Sequence, residues 1–138
     1  MGRKMEIQVD ILNEYKRWID CASDEEIKQE LALMKDNFEE INESFYKELD
    51  FGTSGMRGIL GAGTNRLNTY VLRRSNLALA SHINKNCASK SVVISYDSRK
   101  KSSRFARETA DLMSAMGIKA YLFSELTPVS VLVYAITK

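Results

Sequence analysis

Hydroxyl, guanidinium and glycine residues are concentrated in one short segment of this 138-residue chain. Five of the seven glycines fall within the 12 residues from Gly52 to Gly63, and Thr53, Ser54 and Arg57 lie among them. Glycine lets a ligand approach the backbone closely. Hydroxyls and free amides can donate to a phosphate oxygen, and arginine can bind phosphate through two parallel N–H bonds. The segment therefore indicates phosphate binding, although a tight turn entering a sheet would explain the glycines equally well.

The glycine spacing excludes the common nucleotide-binding loops. Neither G-x-x-x-x-G-K-[ST] nor G-x-G-x-x-G occurs in the sequence. A dinucleotide-binding loop also needs a strand before it and a helix directly after it, whereas helical spacing precedes Phe51. With one His and two Cys, His-rich zinc sites, four-cysteine zinc sites and a Ser-His-Asp triad with a spare His are disfavoured. Any chemistry must use Arg, Lys, Ser, Thr, Asp or backbone amides.

Charge divides the chain into two halves. Residues 1–50 hold 14 acidic and 7 basic side chains, whereas residues 51–138 hold 4 acidic and 13 basic ones, for a net charge of +2. The basic half indicates either an anionic ligand or an acidic segment docked against it. A nucleic-acid partner is disfavoured because no interleaved aromatics and no known recognition motif accompany the basic residues.

Composition indicates a cytoplasmic protein with an ordinary core. Apolar residues make up 44% and charged residues 28% of the chain, which excludes collagen-like and low-complexity classes. No apolar run approaches the roughly 18 residues of a membrane span, and no secretory signal is visible. We therefore expect no membrane partner. Cys21 and Cys87 form no CxxC pair, and we interpret them as reduced thiols.

Apolar spacing predicts a helical first part. Three runs recur at intervals of three and four residues, the spacing of one helical face. The first run predicts a helix over residues 8–20. The second predicts a helix that begins at a capping box, Ser23–Glu26. The third predicts a helix that ends at about Glu48. We interpret residues 1–50 as an acidic helical arm whose aromatics are docking contacts, and residues 51–138 as a separate domain.

The second part alternates between helices and strands. The predicted elements are a glycine strand, a helix over 69–86 capped by Asn68-Thr69, a strand Ser91–Tyr96, a helix capped by Ser103 and ended by Gly117, a strand Ile118–Phe123 and a helix opened by Thr127-Pro128. In the first of these helices, Leu72, Leu79 and Ile83 are expected to point inward. The alternation predicts an α/β layer with parallel crossovers.

These motifs carry a resemblance to the α-D-phosphohexomutases of the bacterial phosphoglucomutase/phosphomannomutase type. It covers most of residues 10–138 and implies a three-layer α/β/α domain I, incomplete, with an N-terminal helical arm. The matching stretches are Phe51-Gly-Thr-Ser-Gly-Met-Arg-Gly58, Gly61-Ala-Gly-Thr-Asn-Arg66, Tyr96-Asp97-Ser98-Arg99 with Ser102-Ser103 and Phe105-Ala106 after it, and Gly117-Ile-Lys-Ala-Tyr-Leu-Phe123.

The resemblance implies interconversion of hexose 1-phosphate and hexose 6-phosphate. In such enzymes a phosphoserine donates its phosphoryl group, hexose 1,6-bisphosphate reorients, and the serine is rephosphorylated, with Mg2+ on the phosphoserine. Thr53 and Arg57 match the G-T-x-G-x-R-G positions beside that serine. Arg57 is therefore expected to stabilise phosphoryl charge and Thr53 to bind phosphate, with Ser54 as a weaker candidate. Asp97 and Arg99 match Y-D-S-R and are expected to form an ion pair that supports the catalytic loop.

Several motifs of the family do not occur in the 138 residues. The T-[AG]-S-H-N-P serine loop, the D-G-D-x-D-R metal loop and the sugar-selecting loop are missing, so neither glucose nor mannose is favoured and no metal site is expected here. Ser81-His82-Ile83-Asn84 is only superficially similar, because it lies in a predicted amphipathic helix and lacks the proline. We expect an N-terminal fragment without mutase turnover and without a cofactor of its own.

Two interpretations of such a fragment remain open. The chain is either a piece of a sugar-phosphate mutase or a non-catalytic phosphate-binding or regulatory module on the same fold. A reading frame that continues into a strand and an S-H-N-P loop would indicate the enzyme, whereas a natural stop codon would favour the module. A missing strand would leave a sheet edge with unpaired N–H and C=O groups. We therefore expect self-association through that edge.

Overall fold

The computed structural model describes residues 2–52 and 55–137, with side chains from residue 5 onward. The chain divides into two compact units, Met1–Val71 and Leu72–Lys138. The predicted domain division after residue 50 stays a prediction. The elements in chain order are α1 (Gly2–Cys21), α2 (Glu25–Leu33), α3 (Phe38–Phe45), β1 (Phe51–Gly52), β2 (Gly55–Met56), α4 (Thr69–Asn86), β3 (Ser91–Ile94), α5 (Ser102–Ala115), β4 (Lys119–Leu122) and α6 (Val129–Ile136).

The first unit is built around an aromatic centre. Trp18 makes edge-to-face contacts with Phe45 and Tyr70, with ring centroids 5.6 and 5.5 Å apart. The hydroxyl of Tyr15 donates a 2.7 Å hydrogen bond to the Leu31 carbonyl oxygen, so this buried polar group has a partner. The core joins α1, α2 and α3 to Ala62, which lies within the glycine segment, and to Val71 on α4. The predicted helical arm is confirmed, with α1 longer and α3 shorter than the apolar spacing indicates.

The N-cap of α2 is Asp24, so the predicted capping box at Ser23 is wrong. The Asp24 carboxylate accepts hydrogen bonds from the amides of Glu26 and Ile27, at 3.0 and 3.4 Å. The Ser23 amide donates instead to the Tyr70 hydroxyl at 2.7 Å. Serine and aspartate cap helices about equally well. Here the Tyr70 hydroxyl also accepts from the Asp24 amide at 2.9 Å, and the Ser23 hydroxyl lies 3.2 Å from it, away from the first turn of α2.

In the glycine segment the predicted strand is limited to two short pieces. β1 and β2 pair antiparallel, with Phe51 opposite Met56 and Gly52 opposite Gly55. After Met56 the chain is irregular until α4, apart from an isolated bridge between Leu60 and Leu67. Positive φ at Gly55, Gly61 and Gly63 interrupts the extended conformation that a longer strand would need.

The second unit contains the predicted parallel crossover. β3 and β4 pair in parallel from Ser91–Lys119 to Ile94–Leu122, and α5 connects them. Ala80, Ile83, Met113 and Ile118 form the buried core of this unit. Leu79 is 48% exposed, so its predicted inward position is wrong, and the fully buried Ala80 beside it lies on the inner face. The alternating α/β fold class is confirmed.

The two ends of α5 differ in how well local residue types predict them. Ser103 lies inside the helix and does not cap it, since the N-cap of α5 is Lys101, which has φ 66° and makes no side-chain cap bond. At the other end, Gly117 has φ 76°. The amides of Gly117 and Ile118 bond to the carbonyls of Ser114 and Met113, which is the predicted glycine C-cap.

The last helix has an apolar surface. Pro128 is the N-cap of α6, as predicted for the Thr127-Pro128 pair, and none of the eight helical residues is buried. Val129, Val133 and Tyr134 are 70, 55 and 63% exposed. Among the described residues, no helix is long and apolar enough to cross a membrane.

Candidate functional site

Arg57 directly follows β2 and its side chain is exposed. It forms no ion pair with a carboxylate of the residues that the structure describes. The guanidinium is therefore available to an anion from solvent, which is the arrangement that phosphate binding requires. Thr53 and Ser54, the other predicted phosphate-binding residues of this segment, lie outside the described residues.

Gly58 makes room for a close contact behind Arg57. A Cβ atom at Gly58 would lie 2.6 Å from a methyl carbon of Leu49. Leu49 itself packs against the core of the first unit. A side chain at position 58 would therefore require Leu49 to move, which glycine avoids.

The end of the glycine segment contacts the last turn of α3 and the residues that follow that helix. The Leu49 amide donates to the Thr64 carbonyl at 2.9 Å, and the Thr64 hydroxyl donates to the Lys47 carbonyl at 2.7 Å. At Gly63, φ is +126° and a Cβ atom would lie 2.4 Å from the Ser44 carbonyl oxygen. Only glycine allows this approach of two backbones.

Two polar side chains hold the middle of the same loop. The Glu30 carboxylate on α2 accepts a 2.6 Å hydrogen bond from the Ala62 amide. The Asn68 side-chain amide donates to the carbonyls of Gly61 and Gly63, at 2.8 and 2.9 Å, while its oxygen caps α4 through the Val71 amide. Sequence reasoning identified Asn68 only as a helix cap. It did not identify Glu30, because no local pattern marks a contact between residues so far apart.

Asp97 and Arg99 form an exposed ion pair in the second unit. Arg99 Nε lies 2.7 Å from Asp97 Oδ2, and the Arg99 amide donates to Oδ1 at 3.1 Å. The Asp97 amide in turn donates to the Ser102 hydroxyl at 3.3 Å, at the start of α5. The hydrogen bond from the Arg99 amide, followed by the Arg99 side chain, lowers the pKa of Asp97 below its ordinary value. The pair thus fixes the turn between β3 and α5.

The described residues contain no cluster of three or more His, Cys, Asp or Glu side chains that could hold a metal ion. Two of the acidic side chains described above are already engaged, Asp97 by Arg99 and Glu30 by the Ala62 amide. These carboxylates do not form a set of oxygen ligands of the kind that Mg2+ prefers. The chemistry that this part of the chain can supply is the binding and neutralisation of anions.

Comparisons with known proteins agree with the resemblance in the motifs. Residues 48–138 match the family model described as "Phosphoglucomutase/phosphomannomutase, alpha/beta/alpha domain I". A phosphoglucomutase of Staphylococcus haemolyticus is 41% identical over 80 residues, which are 58% of this chain and 15% of that protein. One from Staphylococcus aureus strain USA300 is 36% identical over 105 residues, 76% of this chain and 19% of that protein. This chain thus spans less than a fifth of these relatives. No solved structure gives a significant match.

Proposed function

Because the chain belongs to the phosphoglucomutase/phosphomannomutase family, we propose that it supplies the first part of the catalytic domain of a mutase that interconverts hexose 1-phosphate and hexose 6-phosphate. In the proposed reaction a phosphoserine gives its phosphoryl group to the sugar. The resulting hexose 1,6-bisphosphate turns round and returns the other phosphoryl group to the serine. Mg2+ would bind at that phosphoserine. We assign neither the phosphoserine nor the Mg2+ site to the 138 residues.

The observation that carries the proposal is the exposed, carboxylate-free guanidinium of Arg57. Phosphoryl transfer depends on positioning and on the neutralisation of charge spread over the phosphoryl oxygens. Arg57 would provide a bidentate contact to those oxygens. Thr53 and Ser54 would add hydroxyl donors to the same phosphate, and the Asp97–Arg99 pair would support the loop that bears the serine.

We assign the 138 residues no turnover by themselves, since the serine loop of the family is not among them. A chimera that joins this chain to the part of the Staphylococcus aureus phosphoglucomutase beyond the aligned segment tests the proposal. Mutase activity that is lost on substitution of Arg57 supports it. A chimera that is active and indifferent to Arg57 would contradict the assigned role. A folded but inactive chimera whose chain still binds phosphate at Arg57 would favour the non-catalytic binding module.

We further propose that the 138-residue chain self-associates through the β3–β4 sheet and α6. Among the described residues this sheet has two strands, so each strand has one edge without a pairing partner. Tyr121 on β4 is 48% exposed, and α6 presents Val129, Val133 and Tyr134 to solvent. Exposed apolar side chains and open strand edges in the same unit favour association with a second copy.

A further inference from the structure

Glu30 contacts the loop that follows Arg57 from outside the matched family domain. That domain covers residues 48–138, whereas Glu30 lies on α2 of the helical arm. The Glu30 Oε2 atom accepts a 2.6 Å hydrogen bond from the Ala62 amide. A Cβ atom at Gly61 would lie 3.1 Å from the same oxygen. The carboxylate therefore contacts two consecutive residues of the loop.

The Glu30 carboxylate is directed to backbone and not to an opposite charge. It forms no ion pair with a lysine or arginine in the part of the chain that the structure describes. Its neighbours on α2, Ile27 and Leu31, are 3% and 1% exposed and belong to the core of the first unit. The helix that carries the carboxylate is thus fixed by packing. A bond from an amide to a carboxylate is also stronger than one between neutral groups.

The loop transmits this anchor toward Arg57 because its two ends are bonded to each other. The Leu67 amide donates to the Ile59 carbonyl at 2.8 Å, and the Gly61 amide donates to the Leu67 carbonyl at 3.3 Å. Ala62 lies inside the loop that these bonds close, and Arg57 precedes that loop by two residues. The bond at Ala62 therefore fixes the closed loop to α2, and with it the backbone next to Arg57.

We propose that Glu30 is a positioning residue for the mutase reaction, which places the backbone that carries the Arg57 guanidinium. The inference rests on the proposed function, in which that guanidinium neutralises phosphoryl charge. Phosphoryl transfer depends on the placement of such groups, and a displacement of about 1 Å can cost about 100-fold in rate. We assign Glu30 no contact with the reacting atoms. The arm thereby becomes a working part of the catalytic domain.

The kinetic test uses the chimera with the Staphylococcus aureus enzyme. Glu30→Ala is expected to lower kcat about tenfold or more and to change KM less than about threefold, because misplacement weakens the transition-state contact most. Glu30→Gln keeps an acceptor oxygen and should retain kcat within about threefold. Two controls should leave kcat unchanged. Glu25→Ala removes a carboxylate of the same helix that pairs with Lys28, and Tyr15→Phe removes a buried hydrogen bond of the same unit.

A second measurement needs no turnover. Amide hydrogen exchange of the 138-residue chain reports on the Gly61 and Leu67 amides, which do not bond to Glu30 themselves. Glu30→Ala is expected to accelerate exchange at both amides by about tenfold or more, because the loop opens locally once its anchor is lost. Glu25→Ala should leave these rates unchanged, and Tyr15→Phe should change them less than Glu30→Ala does.

Unchanged exchange at these two amides in Glu30→Ala would overturn the proposal, and so would an active chimera in which Glu30→Ala keeps the full kcat. If Arg57→Ala lowers kcat and Glu30→Ala does not, the positioning role fails and the proposed function stands. If neither substitution lowers kcat, both fail. Should Glu30→Ala not fold, Glu30→Asp has a carboxylate one methylene too short and is still expected to lower kcat, whereas Glu30→Gln is not. Equal kcat in these two variants would contradict the positioning role.

Discussion

The Glu30 carboxylate accepts a 2.6 Å hydrogen bond from the Ala62 backbone amide, 32 positions further along the chain. This contact ties α2 to the loop that follows Arg57. Ala62 is 2% exposed, so its amide has little access to water as an alternative partner. The helical arm therefore has a structural role in the candidate site, although none of its residues was predicted to contribute to it.

Glu30→Ala is expected to reduce the free energy of unfolding by about 1–3 kcal/mol, because it leaves a buried amide without an acceptor. Glu30→Gln retains an acceptor oxygen and should lose less. Urea denaturation of the purified chain measures both, with the exposed Glu6→Ala as a control that stays within about 0.5 kcal/mol. Equal losses in Glu30→Ala and Glu6→Ala would show that the bond contributes nothing.

Gly63→Ala is expected to destabilise the chain by about 2 kcal/mol or more, since the new methyl group would lie 2.4 Å from the Ser44 carbonyl oxygen at φ +126°. Gly117→Ala is the matched control. It has φ +76° with nothing within 4 Å, so only the backbone penalty of about 1–2 kcal/mol applies. Thermal and urea unfolding compare the two, and a smaller effect at Gly63 than at Gly117 would contradict the packing described here.

The Asp97 carboxylate is expected to titrate below its ordinary pKa of 3.8, chiefly because of the bond from the Arg99 amide. A lowered pKa stabilises the fold above pH 3.8, and this contribution is lost as the pH falls through the lower value. Carbon-detected NMR of the carboxyl group gives the midpoint directly. Arg99→Ala removes the side-chain bond but keeps the amide, so most of the shift should persist. A midpoint at or above 3.8 would refute this account.

Self-association predicts a concentration-dependent mass. In sedimentation velocity the 15.7 kDa chain should shift toward a dimer as its concentration rises through the micromolar range. Val129→Asp with Val133→Asp should restore the monomer, because these exposed residues contribute to the apolar surface of α6. Leu33→Asp removes an even more exposed apolar side chain from the first unit and should change nothing. A chain that stays monomeric throughout would exclude this interface.

Local chemistry predicted those element ends that depend on one residue type. Asn68 caps α4 because its side chain reaches an amide three positions ahead, and Gly117 ends α5 because glycine accepts positive φ. Where neighbouring residues are equally suited, the sequence could not decide. Asp24 and not Ser23 caps α2, and the Ser23 hydroxyl lies 3.2 Å from the hydroxyl of Tyr70, 47 positions away.

Contacts between distant residues set the limit of the sequence prediction for the site. The motif around Arg57 indicates phosphate chemistry, but Glu30 and the Gly63–Ser44 approach carry no local signal. On the predicted inner face of α4, Ile83 is buried as expected and Leu79 is not. Ala80 is small enough to be fully buried, whereas the larger Leu79 beside it lies on the exposed side.

The central claim, that Arg57 neutralises phosphoryl charge, is tested most directly by the kinetics of the chimera with the Staphylococcus aureus enzyme. Arg57→Ala is expected to lower kcat by about 100-fold or more while KM changes by less than about threefold, because the interaction strengthens in the transition state. Arg17→Ala, at an exposed arginine paired with Glu14 in the same unit, is the control and should leave both constants unchanged. An Arg57→Ala chimera with the kcat of the unsubstituted chimera would contradict the account.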